Sequence, residues 1–285
     1  MFAIAAVIAG ALLIGGCSAE NMPVLYPSGE VALAERNILF RAFLIMMVVV
    51  VPVFIMAFWF SWHFRGTNIR ARYAPNWISD KLDILVWIVP ALIVGSLGIH
   101  VWIYTHQLDP YKPLDSTAKP IEVEVIAQDW KWLFIYPELG IASVNELAFP
   151  AEVPLSLKIT SDTVMNSFFL PALGGQIFAM AGMQTRLNLI AAKPGEFVGR
   201  NTQYSGDGFA DQHFKAIAME AGEFEKWVAN VRQEGAALDG ATYAELAKPT
   251  IAQPVIYYAP VVPGLFTNVV HKYDSGMIGG AMAAE

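Results

Sequence analysis

The chain has 285 residues, of which 55% are hydrophobic and only 15% charged, and its formal net charge is −7. This balance is too apolar for an ordinary soluble protein and indicates a membrane protein that also carries a soluble domain. Because the chain is acidic and has no long basic tract, nothing in its composition favours nucleic acid as a partner. Its single cysteine, Cys17, excludes an intrachain disulfide and a thiolate metal cluster.

Residues 1–16 are almost wholly apolar and end in small residues, which is typical of a secretory signal peptide. The segment Ile14–Cys17 resembles a bacterial lipobox, in which the cysteine thiol is acylated and becomes the first mature residue. We therefore predict lipidation at Cys17 and a lipidated N-terminal segment over residues 17–38. The alternative is an incidental cysteine in a short membrane segment.

Two uncharged apolar runs follow, Ala42–Trp62 and Ile84–Tyr104. Each has about the 20 residues that a helix needs to cross a bilayer. They predict a two-helix transmembrane hairpin over residues 39–106.

The link between the two helices is basic, which sets the predicted orientation of the hairpin. It carries Arg65, Arg70, Arg72 and Lys81. By the positive-inside rule this link is cytoplasmic, so both outer segments lie on the periplasmic side of a bacterial inner membrane.

From about residue 120 the hydrophobic pattern changes to period two, which is typical of half-buried strands. The alternating segments are Ile121–Val125, Val153–Ile159, Thr185–Leu189 and Lys215–Met219. Several short strands at this spacing predict an all-β sandwich or barrel over residues 107–222. Beyond it, Phe224, Trp227, Val228 and Val231 share one helical face, and Tyr243–Lys248 is a second short helical segment. Residues 223–285 are predicted to form a C-terminal helical extension and tail.

Three ordered segments carry a resemblance to a known family: Gln128–Pro137, Val164–Pro171 and Gly199–Gly206. With the two-helix hairpin and the outer sandwich, they resemble subunit II of haem–copper oxidases, and most closely subunit II of bo-type ubiquinol oxidases. The resemblance implies a cupredoxin-like sandwich with C-terminal helices as the periplasmic fold.

In the copper-bearing relatives this domain holds a dinuclear copper centre, and the resemblance implies where its ligands would fall here. Asn166 occupies the first His position, Asn201 and Ser205 occupy the two Cys positions, and Gln203 occupies the position that binds through its carbonyl. The second His position is Phe209 and the Met position is Gln212. Every side-chain ligand is therefore replaced.

The composition of the sandwich region also excludes a copper site, whichever residues occupy the ligand positions. The sandwich region has no Cys and only one His, His213, so even a mononuclear site with two His and one Cys cannot be built. We predict no metal in this chain.

The resemblance then implies an oxidase whose electrons come from ubiquinol and not from cytochrome c. Haems and copper are expected in subunit I, where quinol would donate directly, and this chain would carry no redox centre or catalytic residue of its own. Its expected partners are the haem-bearing subunit I, further small membrane subunits and the lipid bilayer. The complex would reduce dioxygen to water and translocate protons.

Asp83 lies at the cytoplasmic end of the second apolar run. In the family a Glu at the matching position lies at the entrance of a proton pathway in subunit I, which makes Asp83 a candidate for proton entry. The alternative is a solvated acid at a helix start, where it suits the helix dipole.

The aromatic segment suggests an interface with subunit I. Trp130 and Trp132 are expected to pack and hydrogen-bond there, because Trp is favoured at interfaces. Asp129 and Gln203, with Glu138, could line a polar site between the subunits. Relatives bind a divalent ion there through a Glu at the Gln203 position, and an amide is a weaker ligand for a hard cation.

His100, in the second apolar run, is expected to be a buried, hydrogen-bonded histidine and not a haem ligand. Two alternatives for the whole chain remain: a free-standing membrane lipoprotein that binds a partner or aids oxidase assembly, and a copper-bearing cytochrome c oxidase subunit.

Overall fold

The computed structural model describes residues 22–71, 79–114 and 116–273. Cys17, the predicted signal peptide, Arg72 and the last twelve residues, 274–285, lie outside the described residues. The described residues divide into two compact units, one between residues 35 and 109 and the other made of those before residue 35 and after residue 109.

The smaller unit contains most of helix α1, Glu30–His63, and all of helix α2, Asp80–Gln107. Among the described residues, these are the two helices long and apolar enough to cross a membrane. In α1 only Ala32 is buried, and α2 has no buried residue, so their apolar side chains are available to lipid or to a partner. Arg41 of α1 donates a hydrogen bond to the Tyr104 hydroxyl near the end of α2, so the two helices contact each other at this point.

Helix α1 begins at Glu30, earlier than the start at residue 39 that the apolar run predicted. Its first turn is held by the larger unit, because the Ala32 amide donates to the Leu173 carbonyl at 3.1 Å. The apolar run therefore marks the part of the helix that can span the membrane and does not mark where the helix begins.

The described part of the larger unit contains twelve strands in two sheets. The strands are β1 Ile121–Gln128, β2 Lys131–Tyr136, β3 Ile141–Val144, β4 Glu146–Pro150, β5 Leu155–Ser161, β6 Asn166–Phe169, β7 Gln176–Ala179, β8 Thr185–Leu189, β9 Gly195–Asn201, β10 His213–Met219, β11 Ala236–Leu238 and β12 Ile256–Val261. One sheet has the order β11-β12-β3-β2-β1-β5-β8, and the other has the order β4-β10-β9-β6-β7.

A core of alternating side chains lies between the two sheets and confirms the predicted β-sandwich. Val123 and Val125 of β1, Leu157 of β5 and Phe214 of β10 all point into it. The four segments with period-two hydrophobicity correspond to β1, β5, β8 and β10.

The C-terminal region contains helices, as predicted, but it also extends a sheet. Helices α3 Ala221–Glu234, α4 Gly240–Leu246 and α5 Leu265–His271 alternate with β11 and β12. Strand β12 pairs antiparallel with β3, so this region forms part of the sandwich and not a separate helical extension. The sequence pattern missed these strands because β11 is only three residues long and β12 contains Pro260.

The C-terminal region also covers the outer face of the larger sheet. Leu238, Leu246 and Phe266 pack against Ile126 and Leu133 from the sheet. As a result all six residues of β2 are buried, and this strand has no solvent face.

Candidate functional site

Four polar residues that lie apart in sequence come together at one end of the sandwich: Asn166, Asn201, Ser205 and Gln212, hereafter the amide cluster. Asn166 begins β6 and Asn201 ends β9, and these strands pair antiparallel. Gln212 immediately precedes β10, and its carbonyl accepts from the Asn201 amide at 3.0 Å. The two asparagines and the glutamine are each at least 96% buried, and Ser205 is half-buried.

Asn201 is the centre of the amide cluster, and both ends of its side chain are saturated. Its Oδ1 accepts from the backbone amides of Ser167 at 2.8 Å and Gln203 at 2.9 Å. Its Nδ2 contacts Asn166 Oδ1 and Gln212 Oε1, both at 2.8 Å, and Ser205 Oγ at 3.1 Å. Asn201 therefore ties β6, β9 and the loop between β9 and β10 together.

The other members complete the network. The Ser205 hydroxyl donates to Gln212 Oε1 at 3.0 Å, and Gln212 Nε2 donates to the Gln128 carbonyl at 3.3 Å. Asn166 Nδ2 donates to the Val164 carbonyl at 2.9 Å. Every buried side-chain amide group of the amide cluster thus has a partner, as a buried polar network requires.

The donor chemistry of the amide cluster does not fit copper. An amide nitrogen has no lone pair to offer a metal, and the amide oxygens already accept hydrogen bonds. Copper for electron transfer requires thiolate and imidazole ligands. Throughout the described residues, no group of three or more His, Cys, Asp or Glu side chains is placed to hold a metal ion.

The remaining two positions implied by the copper-site resemblance contribute no side chain to the amide cluster. Phe209 lies in a short 3₁₀ helix, Phe209–Asp211, and its ring contacts Tyr204 with centroids 5.7 Å apart. Gln203 contributes its backbone amide to Asn201. The structure therefore assembles four of the six positions into one network.

Trp130 packs against the loop that follows β9. It occupies the tight turn between β1 and β2 with φ 66°, and its indole Nε1 donates to the Ser205 carbonyl at 3.1 Å. A Cβ on Gly208 would lie 2.4 Å from the indole ring, so only glycine permits this packing. The side chain is half-buried, which leaves part of the ring available to a partner.

Trp132 does not lie where a partner subunit could contact it, contrary to the expectation from sequence. Its side chain is 0% exposed, and its ring packs edge-on against Phe168 and Phe214 with centroid distances of 5.4 and 5.7 Å. Trp130 lies in the turn before β2 with a positive φ, whereas Trp132 lies within β2 and points into the sandwich, so the two rings have different environments. Trp132 is a residue of the sandwich core.

Of the predicted polar site of Asp129, Gln203 and Glu138, Glu138 lies apart from Asp129, because the two residues flank opposite ends of β2. Asp129 Oδ1 accepts from the Thr163 hydroxyl at 2.7 Å, which links the β1–β2 turn to the loop after β5. Glu138 instead pairs with Lys119 at 2.7 Å on the exposed surface.

Two of the predicted candidate residues, Asp83 and His100, lie in helix α2. Asp83 is exposed in the first turn of α2, next to the other acid of that turn, Asp80. His100 is half-buried, and its Nδ1 lies 2.9 Å from the Ser96 carbonyl one turn earlier.

Lys131 is a buried cation that was not among the site residues predicted from the sequence. It is 0% exposed, and its amine donates to the Lys248 carbonyl at 2.7 Å and to the Thr250 hydroxyl. Burial lowers the pKa of the Lys131 amine, and the nearby Asp129 partly opposes this effect. The sequence signal that could have identified it is a lysine at the first position of a strand whose other residues are all apolar or aromatic.

Comparisons with known proteins identify the family. The "COX Aromatic Rich Motif" family matches residues 232–277, which contain β11, β12, α4 and α5. The cytochrome bo(3) ubiquinol oxidase subunit 2 of Pseudomonas aeruginosa is 48% identical over 268 residues, which cover 94% of this chain and 80% of the relative. This chain belongs to the ubiquinol oxidase subunit 2 family.

Two further relatives extend the comparison. Ubiquinol oxidase subunit 2 of Acetobacter aceti is 45% identical over 274 residues, covering 95% of this chain and 88% of the relative. The periplasmic domain of subunit II of cytochrome oxidase from Bradyrhizobium japonicum is 26% identical, covers 41% of this chain and 96% of that domain, and superposes with a TM-score of 0.38.

Membership of the ubiquinol oxidase subunit 2 family confirms the function predicted from sequence at the level of the complex. The chain is a subunit of a quinol oxidase, which is an oxidoreductase complex of the respiratory chain. The family relationship does not support the alternative of a free-standing binding or assembly lipoprotein.

Proposed function

We propose that this ubiquinol oxidase subunit carries no redox centre and acts as a structural and proton-uptake partner of a haem-bearing subunit I. The observation that carries this proposal is the amide cluster, which occupies the copper-ligand positions with three carboxamides and a hydroxyl. Electrons would then pass from ubiquinol to haem and copper within subunit I, and this chain would have no contact with cytochrome c.

The two apolar helices and the family relationship support a location in a bacterial inner membrane. In this proposal the α1–α2 link lies in the cytoplasm, the sandwich lies in the periplasm, and a lipid on Cys17 adds a third anchor. Mass spectrometry of the N-terminal peptide from the purified complex tests the last point, with a diacylated Cys17 as the expected species. An unmodified Cys17 in that peptide would remove the lipid anchor from the proposal.

One end of the sandwich is the proposed docking surface for subunit I. We call it the loop end; it consists of the 129–130 turn and the loops at 162–165 and 202–208. These segments are joined by the Thr163–Asp129 and Trp130–Ser205 hydrogen bonds. The loop end also exposes large apolar side chains, namely Val164, Met165 and Tyr204. Asp129, Trp130 and Gln203 would contact the partner here, while Trp132 supports them from the core.

Purification of the intact oxidase in detergent tests the absence of a redox centre. We expect this chain in stoichiometric amount with a haem-bearing subunit and further small membrane subunits. Copper analysis is expected to find no metal beyond the copper centre of subunit I. Two additional coppers per complex, removed by deleting the sandwich, would contradict the proposal.

A further inference from the structure

A surface cleft of about 540 Å³ opens beside the amide cluster, on the outer face of the five-stranded sheet. Its lining includes Val198 and Arg200 from β9, His213 from β10, and Phe209 from the 3₁₀ helix. Asn201 and Gln212 of the amide cluster also line it, so the cleft leads from the surface to that buried network.

The cleft carries two cationic or protonatable side chains side by side. Arg200 and His213 are directly opposite each other in the antiparallel β9–β10 pair, so their side chains lie on the same face of the sheet. Both residues are exposed. In the described part of the chain, neither the guanidinium nor the imidazole has a hydrogen-bond or ion-pair partner.

The nearest acids in sequence, Asp207 and Asp211, are exposed in the adjoining loop and are not among the residues that line the cleft. The lining residues include no carboxylate, although the whole chain has 25 Asp and Glu against 18 Lys and Arg. Glu196, on the same face of β9, forms an ion pair with Lys215 at 2.8 Å. An acidic protein that leaves an arginine free in an acid-free cleft presents a site complementary to a negative group.

The apolar part of the cleft indicates that the occupant is a protein segment. Val198 is 52% exposed and the neighbouring Tyr204 is 72% exposed, and Tyr204 contacts Phe209. Apolar and aromatic side chains around an arginine form the usual composition of a protein interface. Thr202 of the lining also belongs to the 202–208 loop, so the cleft is continuous with the loop end.

We propose that the cleft receives a carboxylate-bearing segment of the haem-bearing subunit, whose carboxylate binds Arg200 and His213 together. Arg200 would hold the carboxylate through two parallel N–H donors, which a lysine cannot reproduce. This inference rests on the proposed docking of the sandwich on subunit I and assigns that docking its specific polar contact.

The test uses the complete oxidase, expressed with all its subunits and extracted in detergent. We expect Arg200→Glu to reduce recovery of the haem-bearing subunit with this chain by about tenfold or more, because a like-charge contact at an interface opposes association. Arg186→Glu is the matched control: Arg186 is another exposed arginine without a partner among the described residues, and it lies on β8 of the other sheet. Its recovery should equal that of the wild type. Equal recovery of Arg200→Glu and wild type would overturn the proposal.

A second measurement does not depend on how well Arg200→Glu folds. The complex of the Arg200→Lys variant is treated with a water-soluble carbodiimide, which joins an amine to a carboxylate only when the two are in contact. We expect a cross-link from position 200 to an Asp or Glu of the haem-bearing subunit. A cross-link only within this chain, or only to another small subunit, would overturn the proposal. If the wild-type chain itself fails to purify with a haem-bearing subunit, the proposed function fails as well, so the two failures are distinguishable.

Discussion

Asn201 Nδ2 lies 2.8 Å from Asn166 Oδ1, a contact that joins two strands through residues 35 positions apart in the chain. In the copper-bearing relatives, the resemblance gives these positions to a thiolate and an imidazole. Here the same two positions form a hydrogen bond between carboxamides. The polar network thus connects the strands that a metal would otherwise connect.

The stability of the sandwich is expected to depend on Asn201. Replacing Asn201 by Leu leaves the buried amide of Ser167 and Oδ1 of Asn166 without their partner. Gln212 Oε1 loses one of its two donors and keeps the Ser205 hydroxyl. Each orphaned buried group costs about 1–3 kcal/mol, so we expect a loss of about 2 kcal/mol or more in unfolding free energy. Thermal or denaturant unfolding of the purified chain measures it.

The control for this variant is Asn230→Leu, at an exposed position of α3. We expect it to change the unfolding free energy by less than about 0.5 kcal/mol. Equal stability of the two variants would show that the amide cluster does not hold the loop end together.

The buried Lys131 amine predicts a pH dependence of folding stability. Burial places its folded pKa below the ordinary value of 10.5. Between the folded pKa and the unfolded pKa of about 10.5, the unfolded chain binds more protons at this amine than the folded chain does. This group therefore makes the unfolding free energy rise with pH up to about pH 10.5. The unfolding free energy of the wild type should therefore rise relative to that of Lys131→Met as the pH increases through this range.

Denaturant unfolding of both proteins at several pH values measures the difference. At neutral pH, Lys131→Met should also increase hydrogen exchange at the Thr250 amide, because the contacts to Lys248 and Thr250 are lost. A difference in unfolding free energy that is the same at every pH would contradict a lowered pKa for the Lys131 amine.

Tyr257 is expected to resist ionisation in alkali. Burial, together with its hydrogen bond to the Glu146 carboxylate, raises the pKa of Tyr257 from 10.0 to about 12. Because the folded pKa is raised, this group stabilises the fold less and less as pH rises from about 10 to about 12. Glu146→Gln removes the adjacent negative charge and should lower the pKa of Tyr257.

Difference absorbance at about 295 nm between the wild type and Tyr257→Phe isolates this titration from that of the other tyrosines. The same subtraction in the Glu146→Gln background gives the shifted value. An unchanged midpoint in that background would mean that burial alone sets the pKa of Tyr257.

Asp83 is proposed as the proton entry of this subunit, and a matched acid lies in the same helical turn. We expect Asp83→Asn to slow quinol oxidation by the intact complex several-fold, because an amide cannot exchange a proton at neutral pH. Asp80→Asn removes the same charge from the first turn of α2 and should leave turnover unchanged. Oxygen consumption with quinol measures both variants, and equal rates for both would assign Asp83 to the helix end alone.

The sequence pattern predicted the strands of the sandwich interior but not the C-terminal addition to the larger sheet. Period two in β1, β5, β8 and β10 is a local property, since each strand buries one face against the other sheet. In β2 this signal is absent because the C-terminal region buries its second face. A partner more than 100 positions away leaves no mark in a short sequence window.

For the candidate site, too, some properties could be predicted from the sequence and others could not. The absence of thiolates and of a second imidazole in the sandwich is a property of composition, so the sequence by itself excluded a copper centre built from those ligands. The length and apolarity of the two helices are likewise properties of contiguous residues. Only the tertiary structure decided that Trp132 lies in the core, that Lys131 is buried, and that four polar residues saturate one another. Burial and hydrogen bonding depend on which distant segments meet, and that is set by packing over the whole domain.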